Sequence, residues 1–316
     1  MKKDIKKIPL IREIRSFLKW MIYQRNKGMN GRNLFLALND YCYRKTGRRL
    51  NITEPVTYDE KIQWLKLYDS TPLKTKLADK YLVREYVRDT IGERYLTKLL
   101  GVYRSFDEID LSILPDRFVM KANHGSKWNI IVKDKNSLNI KEARRRFGKW
   151  LKMNFAYCNG FELHYRDIEP CIIIEEYLEN RSGELPDYKI SCFGGKPELI
   201  QYINRRPEGL QIAVYDTGWR KTDIAFGRKE INADIPRPEC LEELLKAAEK
   251  LSAPFSFVRV DMYVLDSGEI KFGEMTFTPA SGVHRWSDMQ HDEMLGKMIK
   301  LPEKYYLPGI DYRFDR

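Results

Sequence analysis

No stretch of the 316-residue chain approaches the roughly 20 apolar residues that a membrane-spanning helix needs. Its five cysteines, Cys42, Cys158, Cys171, Cys192 and Cys240, are odd in number, scattered and never spaced C-x-x-C. That usage fits a reducing cytoplasm and argues against structural zinc or a disulfide frame. The four histidines form no H-x-H or H-E-x-x-H pattern with which to hold a transition metal. A Walker phosphate loop is absent, as are a D-x-D triplet, zinc-finger, KH and RNP-type patterns, internal repeats and low-complexity tracts. The N-terminus is basic but has no uninterrupted apolar stretch and no small-residue cleavage site, so no secretory signal is expected. What is present can build a large core: 43% of residues are apolar and 12% aromatic, with 32% charged. This excludes a disordered, fibrous or disulfide-stapled chain and predicts a soluble protein of one large or two fused domains.

The formal net charge of +11 is concentrated at one end. Residues 1–50 carry fourteen Lys and Arg against three Asp and Glu, whereas the remainder carries 42 of each sign. Within 10–22, Leu10, Ile11, Ile14, Phe17, Leu18, Met21 and Ile22 recur at helical spacing, with Arg12, Arg15 and Lys19 on the other side. A helix of this kind can lie on anionic lipid headgroups. It can equally dock its apolar face on the body of the protein, and this second reading is favoured because such stripes usually mark core. With a neutral body and no recognition pattern, no nucleic-acid partner is expected.

Residues 1–50 read as basic helices ending near Gly47. Thr57 and Glu60 form a capping box that opens a helix through about Asp69. Thr71 with Pro72 caps a second helix, which Gly92 stops. From Asp116 the pattern changes: RFVMKA, a short polar loop and NIIVKD predict a β-hairpin. Asn139 with Glu142 caps a helix over KEARRRFGKWLKMNF, and CIIIEEYL reads as a buried strand. DYKISCF and PELIQYI predict a second hairpin about Gly194 and Gly195. A helix around CLEELLKAAEKL precedes FVRVDMYVL, a turn at Asp266, Ser267 and Gly268, and EIKFGEMTF. Hairpins dominate and strands do not alternate with helices, so the expected class is α+β rather than a doubly wound sheet.

Three stretches carry candidate chemistry. In FVMKANHGSKWNIIV, Lys121 ends a strand and Gly125 and Ser126 lie in a small-residue loop, whose backbone N–H groups suit a triphosphate. Alone, such a loop is more often an ordinary hairpin turn. Next, IIIEEYL ends in Glu175, Glu176, Tyr177 and Leu178, which could offer adenine a backbone edge and an apolar wall and the ribose an acidic group; by itself it reads more simply as a buried strand entering a turn. Lastly, the spacing about the Gly268 turn lets Asp261 and Glu274 face each other on adjacent strands, with Arg259 on the same face as Asp261. Two facing carboxylates repel, and a magnesium ion completed by waters and substrate phosphates removes that cost.

In order, the lysine strand with its small-residue loop, E-E-Y-L, the lysine of DYK, R-x-D and then G-E-x-T resembles an ATP-grasp fold. The chain is most similar to the TupA-like (teichuronopeptide biosynthesis) ATP-grasp family, through YDEKIQWLKLYDSTPLKTKLADKYLVREYV, LLGVYRSFDEIDLSILPDRFVMKANHGS, CIIIEEYL, DYKISCFGGKPELIQ and FGEMTFTPASG. The resemblance covers most of 53–285. Together with the pattern along the chain, this divides it into a basic helical segment at 1–50, a helical region at 51–115, the ATP-grasp region at 116–300 and a tail at 301–316. The resemblance implies an ADP-forming ligase that joins a carboxylate to an amine through an acyl phosphate, using ATP and Mg2+. Lys80 and Lys121 would hold the phosphates, with His124, Gly125, Ser126, Lys127 and Trp128 closing over them. Glu175 and the backbone of Glu176, Tyr177 and Leu178 would hold adenosine, and Lys189 would reach the phosphates or the base. Asp261, Glu274 and Thr276 would bind metal, and Arg259 would stabilise the transferring phosphoryl group or the oxyanion. Thr278, Ser281, Gly282 and His284 would receive the acceptor, with His164 and Tyr165 nearby. Thr276 departs from the asparagine of the general pattern, and Lys127 stands where glycine is expected. The family's setting implies a uronic acid of a cell-surface glycan or lipid-linked precursor as carboxylate and an amino acid or small amine as nucleophile. The protein would then be cytoplasmic, in peripheral contact with an anionic membrane. A glycosyltransferase or sugar kinase, or a non-catalytic nucleotide-binding scaffold, is the alternative.

Overall fold

Alternating side chains and tight turns assemble nine strands into two sheets in the computed structural model, which describes residues 9–158, 160–183, 185–206, 209–226 and 234–315. Leu99–Tyr103 (β1), Phe118–Ala122 (β2), Asn129–Val132 (β3) and Ile172–Glu176 (β4) pair in the order β1-β4-β2-β3. Asp187–Phe193 (β5), Lys196–Arg206 (β6), Gly209–Asp216 (β7), Phe257–Val264 (β8) and Ile270–Thr276 (β9) pair in the order β7-β6-β5-β8-β9. Every ladder is antiparallel, as an α+β chain built of hairpins requires. The helices are Pro9–Lys27 (α1), Gly31–Thr46 (α2), Tyr58–Tyr68 (α3), Pro72–Ala78 (α4), Val83–Ile91 (α5), Ile140–Trp150 (α6), Leu241–Ser252 (α7) and Met289–Met298 (α8).

Local chemistry explains where these elements begin and end. Thr57 Oγ1 accepts from the Glu60 N–H at 3.3 Å while Glu60 accepts from the Thr57 N–H at 3.1 Å, so both halves of the α3 capping box are made. Gly47, with φ of 78°, closes α2 in the left-handed conformation. The single helix expected between Thr71 and Gly92 is two helices. Asp79 accepts from the N–H groups of Tyr81 and Leu82 and so ends α4 with a local alternative to helical bonding. Likewise α6 stops at Trp150, short of the Phe155 expected, and a 3-10 turn occupies Phe155–Tyr157. Strands β1 and β7 went unread in the sequence. In β1, Gly101 interrupts the alternation; in β7, the period of GLQIAVYD was there to be seen.

Three cores hold the elements. The first sheet packs on α6 through Phe118, Met120, Ile172, Ile174, Phe147 and Trp150. One face of the second sheet packs under α7, where Ile190, Val258, Val260 and Met262 meet Leu244, Ala248 and Leu251. Helices α2, α3 and α8 share a further core with Phe193, Phe257 and the C-terminal Leu307, so the chain's two ends meet in one body. Helix α1 differs from expectation. It attaches through buried Tyr23, whose hydroxyl accepts from the Asn154 N–H, and Asn26, which donates to the Tyr157 carbonyl. Phe17, Leu18, Met21 and Ile22 of its apolar stripe face solvent, while the side chains of Leu10, Ile11 and Ile14 lie outside the described residues.

Candidate active site

Between the sheets lies a cleft of about 1500 Å3. Strand alternation decides what lines it. On the second sheet, even-numbered Tyr188, Ile190, Val258, Val260 and Met262 go to the α7 core, which leaves Asp187, Lys189, Ser191, Arg259, Asp261 and Tyr263 facing the cleft. Register pairs Lys189 with Asp261, Ser191 with Arg259 and Asp261 with Glu274. A bulge at Gly273 sets the last pairing: a Cβ there would meet the Asp261 carbonyl oxygen at 2.9 Å.

The charges on this face interlock. Arg259 donates to Asp261 Oδ1 at 2.6 Å and Oδ2 at 2.7 Å, and to Thr276 Oγ1 at 3.1 Å, and Thr276 in turn donates to Glu274 at 3.1 Å. Lys189 bridges Asp261 and Asp187, the latter at 2.6 Å. Burial opposes charge on Asp261, but Arg259 and Lys189 outweigh it and hold the carboxyl below its usual range. Burial, reinforced by Asp261, pushes Asp187 up to about 6, and its Oδ1 is a buried oxygen without a hydrogen-bond partner. Asp187 and Ser191 were not singled out in the sequence, although the same alternation that placed Arg259 beside Asp261 would have found both.

Across the cleft, Lys121 on β2 bonds Glu175 at 2.5 Å, and Arg84 holds the other Glu175 oxygen at 2.8 Å. Lys80 donates from its backbone to the Asn123 carbonyl and from Nζ to the Gly125 carbonyl at 2.6 Å, and burial lowers its pKa. Of the loop, Ser126, Lys127 and Trp128 line the cleft. His124 turns beneath it, bonded to Asn123, Trp150 and Met153, and burial lowers its pKa. Gly125 sits under the Trp128 ring, where a Cβ would approach within 2.6 Å. Tyr177 and Leu178 line the cleft, whereas Glu175 neutralises cations beside it and Glu176 accepts from the Lys98 N–H at the sheet's far side.

The remaining end is built by the loop after β9. Ala280, Ser281 and Gly282 all have positive φ, a strained run held by buried side chains of α3. Lys66 donates to the carbonyls of Gly160 and Ser281 and to the Ser281 hydroxyl, and Gln63 donates to the carbonyls of Ser281 and Gly282. Thr278 donates to Glu162 at 2.7 Å. His284 lines the cleft, and its Nδ1 meets Asp59 at 2.7 Å. Asp59, buried on α3, also accepts from the His284 N–H and from Trp286. A carboxylate on Nδ1 selects the Nδ1–H tautomer and leaves Nε2 as the basic nitrogen. Sequence reasoning missed Asp59 and Lys66 altogether. His164 is buried in the core, where burial pushes its pKa down to about 3.

A magnesium ion fits this donor set. Asp261 and Glu274 supply hard oxygens on neighbouring strands, and the orphaned Asp187 oxygen adds negative charge beside them. Among the described residues no three His, Cys, Asp or Glu side chains converge to chelate an ion alone, so waters and nucleotide phosphates would complete the shell.

Two antiparallel sheets closing on a cleft lined by lysines on one side and by paired carboxylates with an arginine on the other define an ATP-grasp fold. The model of the TupA-like ATP-grasp family matches residues 60–300, and the chain belongs to that family. No curated protein matches it in sequence. Among solved structures it is similar to D-alanine–D-alanine ligase from Bacillus anthracis complexed with ATP, at 17% identity over 71% of this chain and 65% of that one, with a TM-score of 0.42. It is also similar to N5-carboxyaminoimidazole synthetase from Staphylococcus aureus complexed with ADP, at 12% identity over 72% and 53%, with a TM-score of 0.41. The ATP-grasp ligase PsnB complexed with a phosphomimetic precursor variant, Mg and ADP matches at 10% identity over 66% and 52%, with a TM-score of 0.39. The chain thus spans less than two thirds of the length of each.

Proposed function

We propose that the protein is an ADP-forming carboxylate–amine ligase acting on a uronic acid of a cell-surface glycan precursor. The observation that carries the reading is the charged face of the second sheet, Asp187, Lys189, Arg259, Asp261 and Glu274, set opposite Lys80 and Lys121. The two lysines would hold the triphosphate, Tyr177 and Leu178 would wall the base, and Asp261, Glu274 and Thr276 would hold magnesium. When bound, the ion neutralises phosphate charge. The substrate carboxylate oxygen would attack the γ-phosphorus, breaking its bond to ADP and forming an acyl phosphate. Arg259 would stabilise the charge that develops on the transferring oxygens. Nε2 of His284, steadied by Asp59, would take a proton from the incoming ammonium group; the free amine would then attack the acyl carbon and expel phosphate, which carries off the second proton. The strained loop 278–284 would orient the acceptor without reorganising, because α3 already holds it.

The test incubates the protein with Mg-ATP, hydroxylamine and a panel of uronic acids, and reads ADP and hydroxamate together. Hydroxamate formation that disappears in Glu274→Gln is expected. ADP with a phosphorylated sugar and no hydroxamate would make the protein a sugar kinase; nucleotide binding without ADP release from any acid would make it a scaffold. The amine follows from replacing hydroxylamine with amino acids and weighing the product.

A further inference from the structure

Helix α1 carries Phe17, Leu18, Trp20, Met21 and Ile22 with 47–58% of each residue exposed, a density of large apolar side chains that a soluble surface ordinarily avoids. At about 100° per residue, Tyr23 and Asn26 point one way and fasten the helix to the body, while Phe17, Met21, Trp20 and Leu18 span the opposite arc. Phe17 and Trp20 stack on each other at 6.1 Å. No helix of the described residues is long and apolar enough to cross a membrane. The first 28 residues hold nine Lys and Arg against Asp4 and Glu13. We propose that this outward face of α1 docks on an anionic lipid bilayer, the helix lying flat with its aromatic and aliphatic side chains in the headgroup boundary.

Charge selects this occupant. A second copy of the chain would bring one strongly basic helix against another and repel it, whereas anionic headgroups attract it. The placement has a consequence for the cleft: Lys19, Ile22 and Tyr23, toward the inward side of the same helix, line it, so docking holds the cleft about one helix diameter, roughly 10 Å, from the bilayer. A substrate whose reactive group is carried on a head group extending about that far from a membrane-anchored lipid could then reach the site. The docking itself needs no turnover and holds or fails apart from the ligase reading.

The full chain is sedimented with phosphatidylcholine vesicles with and without phosphatidylglycerol. At least tenfold stronger binding to the anionic vesicles is expected, weakening as salt is raised. Trp20→Glu with Met21→Glu should lower that binding tenfold or more, and an unchanged melting temperature would show the body intact. Brominated lipid should quench fluorescence in the wild type, and Trp20→Phe should remove most of that quenching. Equal or absent binding to both vesicle types would overturn the proposal, as would binding that the double substitution leaves untouched. A dimer in sedimentation velocity that the same substitutions dissociate, with no vesicle binding, would instead make the face a contact between copies.

Discussion

Single residues set the chemistry at both ends of the cleft. His284→Gln should leave hydroxamate formation largely intact, since hydroxylamine is already uncharged at neutral pH, while lowering amide formation from an amino acid by about 10²–10⁴. Asp59→Asn should move the same ratio in the same direction by less, because it disturbs the tautomer and not the nitrogen that accepts the proton. Equal loss of both products would make the pair structural. Lys127 has φ of 63°, a conformation that costs a side-chain-bearing residue on the order of 1 kcal/mol. Lys127→Gly should therefore raise stability by about 0.5 kcal/mol once the added freedom of the unfolded chain is counted, read as a shift in the urea midpoint. The sequence showed this residue standing where glycine was expected, but not that the backbone keeps the glycine conformation.

At the scale of elements, the second sheet was the most legible part. Counting from Gly268 and applying period two placed Arg259, Asp261 and Glu274 on one face, and register confirms the pairing. The bulge that makes it possible was not legible, because Gly273 looks like any strand glycine until its neighbour's carbonyl is in view. Gly273→Ala should misplace both carboxylates and weaken Mg-nucleotide binding at least tenfold in calorimetry while the far-ultraviolet spectrum is retained. The α3 contact with loop 278–284 was likewise hidden, since Lys66 reads as a solvated lysine in YDEKIQWLKLY. Its ammonium is fully buried, and burial pushes its pKa down to about 8. Unfolding returns that value to about 10.4, so the unfolded chain binds the extra proton between pH 8 and 10.5 and stability from this group rises with pH across that window. Lys66→Met should lose on the order of 3 kcal/mol at pH 7 by orphaning the loop carbonyls. The gap between wild type and variant should widen from pH 8 to 10, as urea titrations at several pH values would read.

For the whole molecule, the nucleotide would bridge two sheets with separate cores, so its binding should stabilise them together. At a hundredfold excess over Kd, Mg-ATP adds about 2.7 kcal/mol, a rise of several degrees in melting temperature. Lys121→Ala and Glu274→Gln, one on each sheet, should each abolish most of that rise. A rise that survives both would place the nucleotide elsewhere. The segments read as N-terminal helices and C-terminal tail are not appendages: Asn30 donates to the Gly309 carbonyl and Tyr312 to the Leu67 carbonyl, so truncation of either end removes part of one shared core.

The sequence by itself determined the α+β class, the three hairpins β2-β3, β5-β6 and β8-β9, the caps and the shared face of Arg259, Asp261 and Glu274, because these follow from periods and turn chemistry within a few residues, whereas the pairings of β1, β4 and β7 and the place of Asp187 did not. It also carried the family, through motifs kept in order along the chain. Only the tertiary structure decided that His124 lies beneath its loop, that Asp59 orients His284 from more than 200 residues away, and that the stripe on α1 faces outward. These depend on which surfaces meet once the chain has collapsed, and an apolar stripe or a lone histidine reads alike whether its partner is core, solvent or substrate.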